Sequence, residues 1–311
     1  MHELAPAGPR VERSSQQQRD LGLLCGVAAY GLWGLFPIYF KAIRSVPPVE
    51  ILAHRVLWAL AFFLVLVRWQ GLRGELSRAV GTRGTLITLA ASALLIASNW
   101  LLYIWAVLNE RVMEGSLGYF INPLVNVLLG VVLLKERLSR AAVAAIAIAA
   151  AGVAWLTIQS GAPPWIALGL AFSFGSYGML RKIVPVGAIV GLTVEAMLLA
   201  PLAAGYLVWA RTEGRLAFLA GAVSRDLLLM GGGPLTAVPL LLFTAAARRL
   251  PLSTVGFLQY ISPSIQFLLA VALYGEPFTS ARKVAFACIW TGLAIFAATY
   301  SRRRLIAAPP E

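Results

Sequence analysis

Ten apolar stretches follow one another along the chain, at about 21–42, 50–68, 85–108, 112–134, 141–158, 164–182, 187–210, 227–247, 252–274 and 282–300. Each is close to the roughly 20 residues that a bilayer-spanning helix needs. The widest gaps, 69–84 and 211–226, are Arg-, Gly- and Glu-bearing loops too short for a soluble domain. The stretch 119–154 is echoed without a gap by 259–294, with Ile121/Ile261, Pro123/Pro263, Leu128/Leu268, Leu129/Leu269, Val131/Val271, Leu133/Leu273, Glu136/Glu276 and Gly152/Gly292 identical. Gly31/Gly175 and Gly34/Gly178 extend the echo more weakly at an offset of 144. A copy with five helices, an odd number, sends the second copy into the membrane from the opposite side. The pattern therefore predicts an all-α polytopic membrane protein with ten transmembrane helices in two inverted five-helix repeats, 21–158 and 164–300, flanked by tails 1–20 and 301–311.

Polar positions inside the apolar stretches carry the candidate chemistry. Tyr119, Asn122 and Asn126 fall at i, i+3 and i+7, one face of the fourth helix, and their counterparts in the ninth are Gln259, Ser262 and Gln266. Each stripe holds a proline, Pro123 or Pro263, expected to break the helix by freeing the carbonyl four residues earlier. Such amides can be interhelical hydrogen-bond glue, worth about 0.6–2 kcal/mol each. One interhelical bond does not need three polar positions plus a freed carbonyl in each half, so the pair of stripes is read as a cavity lining. Asn99 and Tyr103 share a face of the third helix next to Trp100, which suits an aromatic cavity wall, aromatic packing or an interfacial belt equally. The run GGGPLTAVP at 231–239, with Pro234 and Pro239, predicts a hinge or a discontinuous eighth helix. Gly22/Gly26 and Gly187/Gly191 have the spacing of close helix packing.

Composition agrees. Mean hydropathy is +0.80, and 13% of residues are charged, where a soluble domain has about 25%. The net charge of +13 is scattered over short loops, which excludes a nucleic-acid-binding domain. With a cytoplasmic N-terminus, 17 basic residues fall on inner segments and 8 on outer ones, so both termini are expected in the cytoplasm. The first stretch is too long for a signal-peptide core and is read as a retained span. Cys25 and Cys288 both lie in apolar stretches, which gives no disulfide framework.

Glu195 is the deepest acidic residue, within the seventh stretch, and an intramembrane carboxylate is a candidate for proton exchange or substrate contact. Its repeat counterpart is Arg55 in the second stretch. In an inverted repeat the two lie toward opposite faces, so the pairing does not establish a direct salt bridge; a structural ion pair, an interfacial Glu195 or a snorkelling Arg55 are the plain alternatives. His54 shares a helical face with Glu50 and Trp58 and is read either as a proton relay or as a structural histidine. No Walker A, HExxH or GxSxG sequence is present, so ATP-driven pumping, zinc proteolysis and a hydrolase elbow lack local support. No cofactor or metal is expected. The expected partners are a small-molecule substrate, membrane lipid and a coupling proton, with a second copy of the chain as a candidate.

The segments AAYGLWGLFPIYFK (28–41), EILAHRVLW (50–58), NWLLYIWAV (99–107), SLGYFINPLVN (116–126), GLAFSFGSYGMLRK (169–182), PLLLFTAAARRLPLSTVGFLQYI (239–261) and FLLAVALYGEP (267–277) resemble, in order, the RarD-type branch of the EamA family in the drug/metabolite transporter superfamily. The resemblance implies a central cavity, alternating access, residence in the bacterial inner membrane and export from the cytoplasm. The branch is named for chloramphenicol sensitivity or resistance, and the family also holds exporters of amino acids and other metabolites. No established site signature transfers to particular residues.

Overall fold

In the computed structural model, residues 9–134, 140–247, 249–250, 254–255 and 258–307 are described, with side chains described from residue 16 onward except at 126–127, 130–134, 141–142, 296–297 and 299–307. Every regular element among them is helical. The order is α1 (Pro9–Gly34), α2 (Phe36–Ala42), α3 (Pro48–Trp69), α4 (Arg73–Gly81), α5 (Arg83–Leu108), α6 (Val112–Leu134), α7 (Arg140–Ser160), α8 (Trp165–Ile183), α9 (Ala188–Thr212), α10 (Val223–Ala247), α11 (Ile261–Leu268) with a π-helical turn at Leu269–Leu273, and α12 (Ser280–Ala307).

The burial pattern is that of a protein dissolved in lipid. Leu24, Val65, Ile158 and Leu202 are each more than two-thirds exposed, while Glu50, Arg55, Asn99, Glu195 and Gln266 are buried. Apolar side chains outside and paired polar ones inside are what hydrocarbon selects. Among the described residues, six helical segments are long and apolar enough to cross a membrane: Gln16–Ala42, Pro48–Trp69, Arg83–Leu108, Val143–Ser160, Ala188–Thr212 and Val223–Ala247. The expected spans at 112–134, 164–182 and 282–300 correspond to α6, α8 and α12, and the described part of 252–274 holds α11 and its π turn.

Among the described connections, two groups are held by side chains that bind backbone amides. In one group, Glu50 accepts the amides of Ala217 and Phe218 at 2.9 Å, and Glu276 accepts those of Val112 and Met113 at 2.6 and 2.9 Å, which caps the start of α6. In the other, Glu75 accepts the Gly187 amide at 2.9 Å at the start of α9. Between these groups α3 packs on α9 and α10, α5 and α6 on α8, and α1 on α10.

The most extensive helix pairing among the described residues is α7 against α12. A Cβ on Gly152 would lie 2.6 Å from Cys288 Cβ and 3.1 Å from the Ala285 carbonyl oxygen; one on Gly292 would lie 2.7 Å from the Ala145 carbonyl oxygen. The earlier residue of α7 thus meets the later residue of α12, so the two helices run antiparallel. Ala145/Ala285 and Gly152/Gly292 are both 140 positions apart, so exchanging the copies maps this contact onto itself.

Two expected breaks take another form. The 231–239 run does not interrupt α10, which continues through Pro234 and Pro239. Its glycines serve approach instead: a Cβ on Gly233 would lie 2.5 Å from the Trp58 backbone, and one on Gly232 2.9 Å from Arg55 Cγ. Pro263 does not kink a long ninth helix. It is the third residue of α11, in the first turn, where an amide has no helical acceptor and its loss costs little. Pro123 does lie inside a continuous α6.

Candidate functional site

Arg55 lies in the second turn of α3, 3% exposed. Its Nε and Nη2 both donate to the Thr236 hydroxyl of α10 at 3.2 Å, and that hydroxyl donates to the Gly232 carbonyl at 2.8 Å. The guanidinium lies 4.8 Å from the Trp100 ring, 5.4 Å from Phe40 and 5.5 Å from Phe36. Phe40 is 6.1 Å from the Tyr103 ring, and the Tyr39 hydroxyl, beside Gly232, donates to the Leu228 carbonyl at 3.0 Å. None of the ion pairs among the described residues includes Arg55. Each ring contact is worth about 0.5–2 kcal/mol, and an ion taken out of water loses several kcal/mol. Three ring faces and one hydroxyl therefore leave the charge incompletely compensated.

Glu195, on α9, is 2% exposed and is compensated differently. Its Oε1 accepts the Ser92 hydroxyl of α5 at 2.5 Å and lies 3.8 Å from Arg181 Nη1; Oε2 accepts the Tyr177 hydroxyl of α8 at 3.4 Å. Arg181 sits in the last turn of α8, where the helix dipole favours a cation. It reaches the carboxylate across Gly191, whose absent side chain is the space it fills: a Cβ there would lie 1.8 Å from Nη1. Gly187 and Gly191, expected to allow close helix packing, instead make room for polar side chains. A cavity of about 10 Å³, near the lower limit for one water, is lined by Glu195 and Trp100 with Val56, Ala59 and Ile96. Trp100 thus touches Arg55 and lines the Glu195 cavity, while the two charges make no ion pair with each other.

The polar stripes are joined in part. Asn99 donates to the Leu170 carbonyl at 3.0 Å and to Ser173 at 2.9 Å, and its Oδ1 accepts the Tyr119 hydroxyl at 3.4 Å. Tyr119 and Tyr103 pack edge to face at 5.5 Å. Ser262 and Gln266 share a face of α11 and bond each other at 3.2 Å; Gln266 also donates to the Trp33 carbonyl. Gln259 lies in the turn before α11, which starts at Ile261. Ser116 of α6 donates to the Pro263 carbonyl at 2.8 Å and ties the two segments together. The Asn126 side chain lies outside the described residues. Tyr103 Oη, Asn122 Oδ1 and Gln266 Oε1 are buried without a hydrogen-bond partner, a state that a native interior rarely leaves unexplained.

His54 stands apart from both charges. Its ring packs on Phe218 at 4.5 Å beside the Glu50 latch. The expected coupling set of Glu195, Arg55 and His54 therefore occupies three separate surroundings. Sequence reading missed Arg181, Ser92, Tyr177, Thr236 and Tyr39. Arg181 looked like one more loop-end cation; the available signal was Gly191 four residues before an intramembrane glutamate.

An apolar-surfaced helical bundle with charges and tyrosine hydroxyls buried between its helices is a multi-pass membrane protein. The model of the EamA-like transporter family matches residues 20–158. Protein RarD of Escherichia coli K12 is 47% identical over 290 residues, covering 93% of this chain and 98% of that one. The Chloramphenicol-sensitive protein RarD of Pseudomonas aeruginosa is 34% identical over 292 residues, covering 92% and 95%. A solved crystal structure, 22% identical with a TM-score of 0.61, covers 92% of this chain and 99% of its own and shares the fold. The chain belongs to the EamA-like transporter family and is of the RarD type.

Proposed function

We propose that this chain is a secondary active transporter that exports a small organic metabolite or drug from the bacterial cytoplasm in exchange for protons, by alternating access. The observation that carries the reading is Glu195, a buried carboxylate held between a hydroxyl and an arginine that need not stay together. In this reading protonation of Glu195 releases Arg181, and the loss of that ion pair lets α8 and α9 shift as the halves rock. The polar residues Asn99, Tyr103, Tyr119, Asn122, Asn126, Ser262 and Gln266 line the substrate path, with Gln259 at its edge. A chloramphenicol-type compound is a candidate substrate, from the printed name of one relative. The architecture that goes with this mechanism is ten spanning helices in two inverted halves in the inner membrane, both termini cytoplasmic. The antiparallel, self-mapping contact of α7 and α12 supports the inversion.

The test is flux in proteoliposomes under an imposed pH gradient, with a drug and metabolite panel. Wild type should show saturable, gradient-driven movement and Glu195→Gln should lose it. Gradient-driven flux that survives in Glu195→Gln removes that residue from coupling, and flux indifferent to the gradient replaces exchange by facilitation.

A further inference from the structure

Arg55 is a buried cation whose fork is only half used. Thr236 takes the Nε and Nη2 side of the guanidinium, and no bond is made by Nη1 among the described residues. Thr236 is itself held by the Gly232 carbonyl, and Gly232 has no side chain because Arg55 Cγ and the Tyr39 hydroxyl lie where a Cβ would stand. The guanidinium is thus fixed in direction by α10 rather than free to snorkel. Around it are three aromatic faces, Phe36, Phe40 and Trp100, and two tyrosines: the Tyr39 hydroxyl, beside Gly232, donates to the Leu228 carbonyl at 3.0 Å, and the Tyr103 ring meets Phe40 at 6.1 Å. Tyr103 Oη is buried with no partner.

This set has donors and apolar faces but no anion. A planar fork with one unpartnered hydroxyl in its cluster matches a carboxylate, which takes two parallel N–H bonds and an O–H bond together. A single negative charge offsets the single positive one, where a phosphate dianion would leave an excess. The rings suit an apolar or aromatic body attached to that carboxylate. We infer that Arg55, oriented by Thr236 and joined by the unpartnered Tyr103 hydroxyl, forms the recognition site for the carboxylate of a small, apolar-bodied organic acid. This names a substrate class within the transport reading and rests on it, with an organic acid in place of the uncharged chloramphenicol-type candidate. Arg55 then serves recognition, while Glu195, held by Arg181, is left to the proton.

The experiment uses the full-length chain in nanodiscs and matched probes: 3-phenylpropionate, 4-phenylbutyrate and indole-3-acetate, each against its uncharged amide, by titration calorimetry. Each acid should bind wild type at least about tenfold more tightly than its amide, the size of one charge-assisted pair. Arg55→Met should bring the ratio to near one, Arg55→Lys should keep part of it, and Thr236→Val should lower it by loosening the fork. Should Arg55→Met fail to elute as a single species, Arg55→Lys and Thr236→Val decide the matter. Amides that match their acids on wild type, no saturable binding by any acid, or a ratio unchanged in these variants would each overturn the inference. Flux separates it from the transport reading. Acid preference that depends on Arg55, in a protein whose flux ignores the pH gradient, leaves the anion site standing and removes proton coupling. Proton-driven, Glu195-dependent flux with acids and amides competing equally does the reverse.

Discussion

Arg55 and Glu195 occupy equivalent places in the two copies, 140 positions apart, and both are buried. They differ in what meets the charge. Glu195 has an arginine, a serine and a tyrosine from two other helices, whereas Arg55 has one threonine hydroxyl and ring faces. A buried charge paired inside the protein can be released by an event that changes one partner, such as protonation. A buried charge with no counter-charge invites one from outside. In the proposed reading, the difference in surroundings between two positions 140 residues apart assigns coupling to Glu195 and recognition to Arg55.

The largest expected effect separates these two environments through stability. Arg181→Met leaves Glu195 buried without its cation, and breaking such a pair costs on the order of 3 kcal/mol, toward the low end because the contact spans 3.8 Å. Arg55→Met removes a buried charge that has no ionic partner, and a hydrophobic replacement at such a place is neutral or stabilising. Apparent melting in detergent should fall by several degrees for the first and hold or rise for the second. Glu195→Gln added to Arg181→Met should restore much of the loss. Equal losses for the two single variants would mean that Arg55 has a counter-charge after all, and the contrast would disappear.

Much of this contrast was legible in the chain, and its gaps have physical causes. The apolar stretches and the echo pointed to the helices, because the length needed to cross a bilayer and the repeat spacing are both properties of sequence order. Glu195 and Arg55 stood out because charges in apolar runs are rare. Partners were not legible, since Arg181 reaches Glu195 from another helix through space that only Gly191 leaves open. Pro234 and Pro239 suggested a broken helix; close packing of Gly232 and Gly233 on α3 is the use the fold makes of that run. Gln259 was placed on the stripe by helical periodicity, and it stands in the turn just before Ile261, the first residue of α11.

If the copies differ in charge but share packing, the shared contact should answer alike in both. Gly152→Ala sets a Cβ 2.6 Å from Cys288 Cβ, and Gly292→Ala sets one 2.7 Å from the Ala145 carbonyl. Overpacking of this kind costs roughly 1–3 kcal/mol. The two variants should lower apparent melting by similar amounts, and the double variant by less than their sum, because one shift of α7 from α12 relieves both. Strict additivity would show that the two ends of this contact yield independently. Gly191→Ala belongs to the other kind: it displaces the Arg181 head, so its effect should shrink in an Arg181→Met background while Gly152→Ala keeps its full effect there.

The smallest expected effect lies at the rim of the molecule on the side where Arg55 enters α3. Lys41 donates to Glu110 at 2.7 Å while resting 5.0 Å from the Tyr274 ring, and Glu110 is largely exposed. The Lys41 hydrogen bond and charge hold the Glu110 carboxyl below the usual carboxylate range. A carboxyl depressed on folding contributes stability that is present above its unfolded value and lost as pH falls through the folded one. Any contribution from this pair therefore belongs to neutral pH and disappears in acid, and added salt should weaken it, because an exposed pair is screened. Glu110→Gln should leave melting at neutral pH and physiological salt unchanged within error, with a difference from wild type emerging only at low salt. A loss as large as that of Arg181→Met would make the rim pair a structural clamp, and the buried charges would no longer be the place where the two copies chiefly differ.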